Sequence, residues 1–288
     1  MVSRLGARVG FLFDRRVLGK GLQIFIAIFG TIWLFMESLS FFFESHLVIA
    51  RFEIFIFTII FSTIIALYVS FPRLSYTRKY RKSNVEISVE VGDLLSHLKS
   101  GVSHVAVGKH NCFSTQLSRL NRKSLRSQIV ADFYAGRAEA LDKDILNSLP
   151  RKQVIKKSDH VYEVAINSIA TVEINDKNIF FLINQRYDHI KQELHDTAKE
   201  DIWLGFCNLW TAVKSKGGNS PIAVPVLGSR IGRAPASRIS LIQLILISFA
   251  IANRSVPITE RLTIVIRELD YSPNEMFEIS RFMDDLDL

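Results

Sequence analysis

The chain has 288 residues, with 36 Lys and Arg against 28 Asp and Glu, giving a formal net charge of +8. That length suits one sizeable domain plus an appendage, and the basic excess points to an anionic partner: phospholipid, nucleotide or nucleic acid. The two cysteines, Cys112 and Cys207, and the seven histidines form no CxxC, HExxH or similar spacing, which argues against a disulfide scaffold and a catalytic metal and for reduced thiols in a cytosolic domain.

Apolar residues concentrate near the N-terminus. Gly21–Met36 carries no charge, and its apolar character runs past Glu37 to Phe43. Ile54–Phe71 adds eighteen uncharged residues. Crossing the hydrocarbon takes ~20 residues, so the pattern predicts transmembrane helices at about 21–43 and 53–71. A helical hairpin buried in a large soluble core is the competing reading. A signal peptide fits poorly, because no small-residue cleavage site follows the first run. Arg4, Arg8, Arg15, Arg16 and Lys20 precede the first run, and Arg73, Arg78, Lys79, Arg81 and Lys82 follow the second. The short connection holds Arg51 against Glu44 and Glu53. This asymmetry predicts a multi-pass protein with both termini in the cytoplasm. Residues 1–82 then form a membrane region and 83–288 a cytosolic domain.

Val85–Val91 alternates strictly between apolar and polar residues and predicts a half-buried strand ended by Gly92-Asp93. Leu94, Leu95 and Leu98 suit a helix with Asp93 at its start. Val105–Val107 predicts a strand running into the loop around Asn111. Ser124–Tyr134 and Glu139–Leu149 suit helices. Val161–Ile166, Ile169–Ile174 and Ile179–Ile183 predict strands, the last two joined as a hairpin through Asn175-Asp176-Lys177-Asn178. Ile202–Val213 predicts a helix with Trp203, Phe206, Cys207 and Trp210 on its buried side. Ile222–Val226 is a short buried strand, and Ile239–Ala252 is a charge-free run of fourteen residues suited to a buried helix. Leu262–Ile266 and Asn274–Leu286 predict a last strand and a closing helix. Strands interleaved with helices, with one hairpin included, predict an α/β domain on a mixed sheet.

On such sheets ligands sit in the loops at strand ends. The loops at Gly92-Asp93, at Asn111 and at Gly228–Arg233 are the candidates. The third carries two glycines between a strand and a helix, which allows close backbone approach and presents N–H groups to an anion, with Arg230 and Arg233 as further donors. A plain strand-to-helix turn reads the same way. Asp93 equally suits a helix cap, and Asn111 a turn.

The run of segments VGDLL, VGKHNCFST, SLRSQIV, IWLGFCNLW, IAVPVLGSRIGR and LTIVI, in that order, resembles the Macro-like domain of Thoeris anti-phage effectors over most of residues 85–285. With the apolar hairpin before it, the chain resembles the branch that pairs a TIR protein with a membrane-bound Macro effector. The resemblance implies a three-layer Macro-like α/β fold with a mixed β-sheet. It also implies that an ADP-ribose derivative, histidine-ADP-ribose, is made by the TIR protein and bound by the Macro domain. The effector then assembles as a homo-oligomer and disrupts the bacterial inner membrane, giving abortive infection. Carried over by position, Gly92, Asp93 and Leu94 would meet the adenine. Asn111 would lie near the distal ribose, and Phe113 and Gln128 would also be ligand-binding residues. Leu227, Gly228, Ser229, Arg230, Ile231 and Gly232 would form the diphosphate loop. Ser114 stands where the family usually has Asp; before the Gln of the next helix the family usually has a small residue or Gly, and often a His before that, whereas here Arg126 and Ser127 precede Gln128.

Two functional classes follow. One is a ligand-gated effector with no catalytic residues, cofactor or metal, in which Glu37 lines a helix bundle or sits at the interface. The other is a membrane-tethered ADP-ribosyl hydrolase, which would draw on Asp93, His110 and Asn111 but lacks paired carboxylates at motif spacing. No nucleic-acid motif is present, and much of the basic excess flanks the apolar runs.

Overall fold

The computed structural model describes residues 15–42, 51–70, 74–80, 83–101, 103–114, 124–188, 191, 193–195, 198–228, 236–254 and 256–286. The chain divides into two compact units, residues 1–73 and 74–288.

The first unit consists of helices α1 (Arg15–Phe42) and α2 (Arg51–Ser70). Phe25, Phe29 and Trp33 recur every four residues on α1 and stack at 5.7 and 6.0 Å, and Phe55 of α2 meets Trp33 edge-on at 5.7 Å. Leu22, Ile26, Leu34 and Phe35 remain exposed, as do Phe57, Ile60 and Ile64. In water this much bare apolar surface is unfavourable, whereas lipid accommodates it. The hydroxyls of Thr31, Ser38 and Thr63 donate to the carbonyls four residues back, at 2.7–2.8 Å, which satisfies them within their own helix. Among the described residues one helix, Gly21–Leu39, is long and apolar enough to cross a membrane. The apolar run of α2 is Phe55–Tyr68. Its fourteen residues rise roughly 21 Å, short of a hydrocarbon core of about 30 Å. The expected pair of spans is therefore corrected to one span and one shorter apolar helix, and a multi-pass protein is not supported. Glu37 is exposed, two residues before the end of the α1 span.

The second unit is a three-layer α/β domain. Its elements, in order, are β1 (Ser75–Tyr80), β2 (Val85–Val91), α3 (Leu94–Lys99), β3 (His104–His110), β4 (Cys112–Ser114), α4 (Leu125–Phe133) and α5 (Ala138–Ser148). There follow β5 (Val154–Lys156), β6 (Val161–Val164), β7 (Ile169–Ile174), β8 (Lys177–Gln185), β9 (Tyr187–Asp188), β10 (Glu193–Leu194) and α6 (Lys199–Lys216). The chain closes with β11 (Ile222–Pro225), α7 (Arg238–Asn253), β12 (Arg261–Ile266) and α8 (Pro273–Asp285). The main sheet has seven strands in the order β1-β2-β12-β11-β3-β8-β7. The five inner strands run parallel, and β1 and β7 close the edges antiparallel. The hairpin expected at 175–178 is the β7–β8 turn, where Asn175 and Asp176 take positive φ. A separate three-stranded sheet joins β4, β6 and β5.

One sheet face buries Val105, Val107, Ile179, Phe181 and Ile183 beneath α3, α4 and α5, with Leu95, Ile129 and Leu141 in the same core. The other face carries α6 and α7. Trp210 and Phe206 are 1% exposed, and Trp210 meets Phe249 edge-on at 5.2 Å while its Nε1 donates to Ser248 Oγ at 2.9 Å. Trp203, expected on the buried side, is 37% exposed, while its neighbour Ile202 is 6% exposed and takes the covered position in that turn. The charge-free run at 239–252 is buried as α7, which packs between α6 and α8.

One further expectation changes. The basic segment after the apolar runs is not only a membrane flank: residues 75–80 form β1, so the folded domain begins at Leu74 rather than 83. His104 is buried and structural. Its Nδ1 accepts from the Asn178 N–H at 2.8 Å, which puts the proton on Nε2, facing the Gly217 carbonyl at 2.9 Å. Burial lowers its pKa and keeps it neutral.

Because Trp210 fills the α6–α7 contact and its N–H is satisfied there, Trp210→Ala is expected to cost about 3–5 kcal/mol. Urea unfolding of the full chain in detergent checks this, with a loss below about 1 kcal/mol showing that the contact is not a core contact.

Candidate ligand-binding site at the strand ends

Five parallel strands bring five loop starts to one edge of the sheet. The register places Val91 beside Ile266, Pro225 beside Val265 and His110 beside Gln185. Two loop starts are tied to neighbouring strands: Gly92 N donates to Ile266 O at 2.9 Å, and Asn111 N to Gln185 O at 2.8 Å. β2 and β3 lie three strand spacings apart, roughly 14 Å. An elongated ligand, not a compact one, reaches from the Gly92 loop to the Asn111 loop.

The loop after β11 is drawn onto β3 by a missing side chain. A Cβ at Gly108 would lie 3.2 Å from Leu227 Cδ2 and 3.3 Å from Asn184 Oδ1. Glycine at 108 therefore lets Leu227 rest against the strand that leads into Asn111. Gly228 then turns with φ +87°, a conformation that L side chains disfavour. Gly228 opens the predicted anion loop beside the Asn111 loop. Ser229, Arg230, Ile231, Gly232 and Arg233 lie outside the described residues.

The other predicted residues divide by role. Asp93 is exposed and caps α3, its Oδ1 accepting from Leu95 N at 3.2 Å. The cap reading therefore holds, and a carboxylate used this way keeps acceptor capacity for a further donor. Gly92 lies beside it at the end of β2. Leu94 and Phe113 are 4% and 1% exposed and belong to the core. Gln128 is half-buried on α4. Asn111 is 5% exposed and engaged at both ends. Its Oδ1 accepts from Tyr187 N at 2.8 Å and its Nδ2 donates to Glu163 at 3.2 Å, which ties β3, β6 and β9 together. It positions the loop from within.

Beneath that loop lies a charged cluster absent from the sequence expectations. Lys109 and Asp142 are almost fully buried, with Nζ 3.7 Å from Oδ1, and Arg126 reaches the other oxygen of Asp142 at 2.7 Å. Lys109 Nζ also sits 4.1 Å from the Phe113 ring centroid, a cation–π distance. Burial depresses the Lys109 ammonium to about 8, against the opposing pull of Asp142. His110 is pulled down to about 2, chiefly by burial, with the Lys109 and Arg126 charges adding to it. It is neutral at physiological pH and too weak a base to take a proton there. Burial raises the Cys112 thiol, which makes it a poor nucleophile. One signal for Lys109 was available: two-residue alternation from Val105 and Val107 points it into the core. The long-range partner Asp142 was not.

Lys109 gives a pH signature. Below about pH 8 the folded and unfolded states both hold its proton; above that the unfolded chain, with an ordinary value of 10.5, still holds it and the folded chain releases it. Stability therefore rises with pH from about 8 to about 9, above which the raised Cys112 thiol acts in the opposite direction. Lys109→Met is expected to flatten that slope in urea unfolding at stepped pH. An unchanged slope would assign it to other groups.

The family described as Thoeris protein ThsA, Macro domain, matches residues 87–267. No curated protein matches the chain. Among solved structures, a point mutant of the Oceanobacillus iheyensis macrodomain aligns at 12% identity over 74% of this chain and 99% of that one, with a TM-score of 0.49. The Oceanobacillus iheyensis macrodomain with ADP aligns at 12% identity over 73% and 97%, with a TM-score of 0.47. Because the family match over residues 87–267 spans more than half of the chain, the chain belongs to the Thoeris ThsA Macro-domain family.

Proposed function

We propose that this protein is a membrane-anchored anti-phage effector whose Macro unit is a receptor for an ADP-ribose-type signal. The observation that carries the reading is the seating of Leu227 on Gly108, which sets the Gly228 loop beside the Asn111 loop on an edge wide enough for an elongated dinucleotide-like ligand. The Gly92-Asp93 loop takes the base, Asp93 accepting from an exocyclic amine, and the Gly228 loop takes the diphosphate. Histidine-ADP-ribose, made by a partner TIR protein, is the proposed signal. The span in α1 anchors the protein in the bacterial inner membrane. Signal binding shifts the population toward an assembled homo-oligomer that disrupts the membrane and aborts infection.

The receptor reading is preferred to an ADP-ribosyl hydrolase because the groups nearest the loops are already committed. Asn111 bridges three strands, His110 stays neutral with little basicity, and Asp93 is taken up by the cap of α3 together with the ligand's base.

Calorimetry of the full chain in detergent, with ADP-ribose and then its histidine conjugate, tests this. Tight binding of the conjugate is expected, and Gly228→Trp is expected to abolish it by filling the loop entrance. No binding of either compound sinks the receptor reading. Steady release of free ADP-ribose from the conjugate would establish the hydrolase.

A further inference from the structure

The C-terminal helix is fixed at both ends to elements that matter for signalling. Resting on the receptor–effector reading above, we propose that α8 is a coupling strut, carrying ligand occupancy from the start of α7 to β1, the strand that follows the two apolar helices in sequence.

At its N-terminal end the contact is to Arg238. This is the first residue of α7, ten positions after Gly228, and Ser237 caps the same helix by accepting from Ser240 N at 3.1 Å. Arg238 donates to the Asp270 carbonyl, in the short turn Glu268–Asp270, and to Glu275 Oε2 at 2.8 Å. At its C-terminal end the contact is to β1. Arg78 Nη1 donates to Met283 O at 3.0 Å and to Asp284 Oδ1 at 2.8 Å. Tyr76 donates to the same Asp284 oxygen at 2.5 Å, and Tyr80 to Met283 O at 2.7 Å. One arginine at each end thus grips a backbone carbonyl and a carboxylate together. Between the grips, Met276, Ile279 and Met283 are 0–4% exposed, so α8 is seated in the core along its inner face. Its thirteen residues make a rod of roughly 20 Å.

Two features indicate that the C-terminal grip serves β1 and not α8 alone. A carboxylate at a helix C-terminus opposes the helix dipole, so Asp284 is badly placed for the helix itself unless Arg78 and Tyr76 meet it. In the main sheet β1 pairs only with β2, and α8 supplies side-chain and backbone acceptors to three of its six residues. β1 begins five residues after α2 ends at Ser70. The grips are water-accessible, with side chains of Arg78 and Asp284 at 34% and 55% exposure and those of Arg238 and Glu275 at 26% and 25%. Ion pairs this open are weak enough to be broken and remade as α7 shifts.

Hydrogen exchange on the full chain in detergent micelles, with and without ADP-ribose, tests the strut. Bound ADP-ribose is expected to change exchange in β1 and in the last turn of α8 by roughly fivefold or more. Glu275→Gln, which keeps the size and removes the charge, is expected to bind ADP-ribose as the parent does and to lose the β1 response; Asp284→Asn is expected to do the same. Binding without any change in β1, or a full β1 response in both variants, overturns the strut. Unaltered exchange in β3 and β8 shows that each variant is folded. If calorimetry on the same sample shows binding of neither ADP-ribose nor its histidine conjugate, the receptor reading fails separately. The strut is then judged without ligand: Glu275→Gln must speed exchange in β1, and rates equal to the parent overturn it.

Discussion

The site geometry depends on an absent methyl group. Leu227 lies on β3 because residue 108 has no side chain, and any Cβ there would press on Leu227 and Asn184 at once. Together with the β11–β3 pairing at Ile222 and Ala223, that approach keeps the start of the Gly228 loop close to β3. The parallel order β2-β12-β11-β3-β8 does the rest, since it delivers every loop start to the same edge. A glycine in a strand ordinarily weakens it; here the flanking ladders to β11 and β8 hold β3 while the glycine makes room.

Below this edge the protein keeps two cations and one carboxylate nearly out of water. Such groups are costly to bury, and the Lys109–Asp142–Arg126 arrangement offsets that cost only through close pairing and the Phe113 ring. The cluster links β3 to α4 and α5, and its positive excess helps keep His110 uncharged. Arg126, a departure from the usual family pattern, is thus explained by its carboxylate partner sixteen residues away. Asn111 acts in a similar way from the other side, satisfying the Tyr187 amide and Glu163 instead of presenting itself to solvent.

Much of the fold was legible because its signals are local. Alternation gave β2, a charge-free run gave α7, and an Asn-Asp pair gave the β7–β8 turn. What escaped depends on distant partners. β1 reads as a basic membrane flank, since Arg78 looks like a topology signal until Asp284 is placed beside it. Trp203 and Trp210 share an apolar helix pattern, and only packing decides which one is covered. At the site, Gly228 and Asp93 could be chosen from residue type. Gly108 could not, because its neighbours Leu227 and Asn184 come from two other strands' ends. The shortfall of α2 has a different origin: counting uncharged residues gave a span, whereas its described apolar stretch is shorter.

The strand order also sets a timetable for synthesis. β2 pairs with β1 across a tight local turn, yet its other neighbour is β12, which begins at residue 261. The middle of the sheet, β11 and β12, is therefore the last part to leave the ribosome, and it must insert between β2 and β3, which have been waiting since early in translation. Such sequence-distant pairings form slowly. The apolar helices precede this domain in the sequence, so they are made while the sheet still has a gap at its centre. The loop edge is completed only once β12 has been made, so a chain cut before residue 261 would lack the strand that joins β2 to β11.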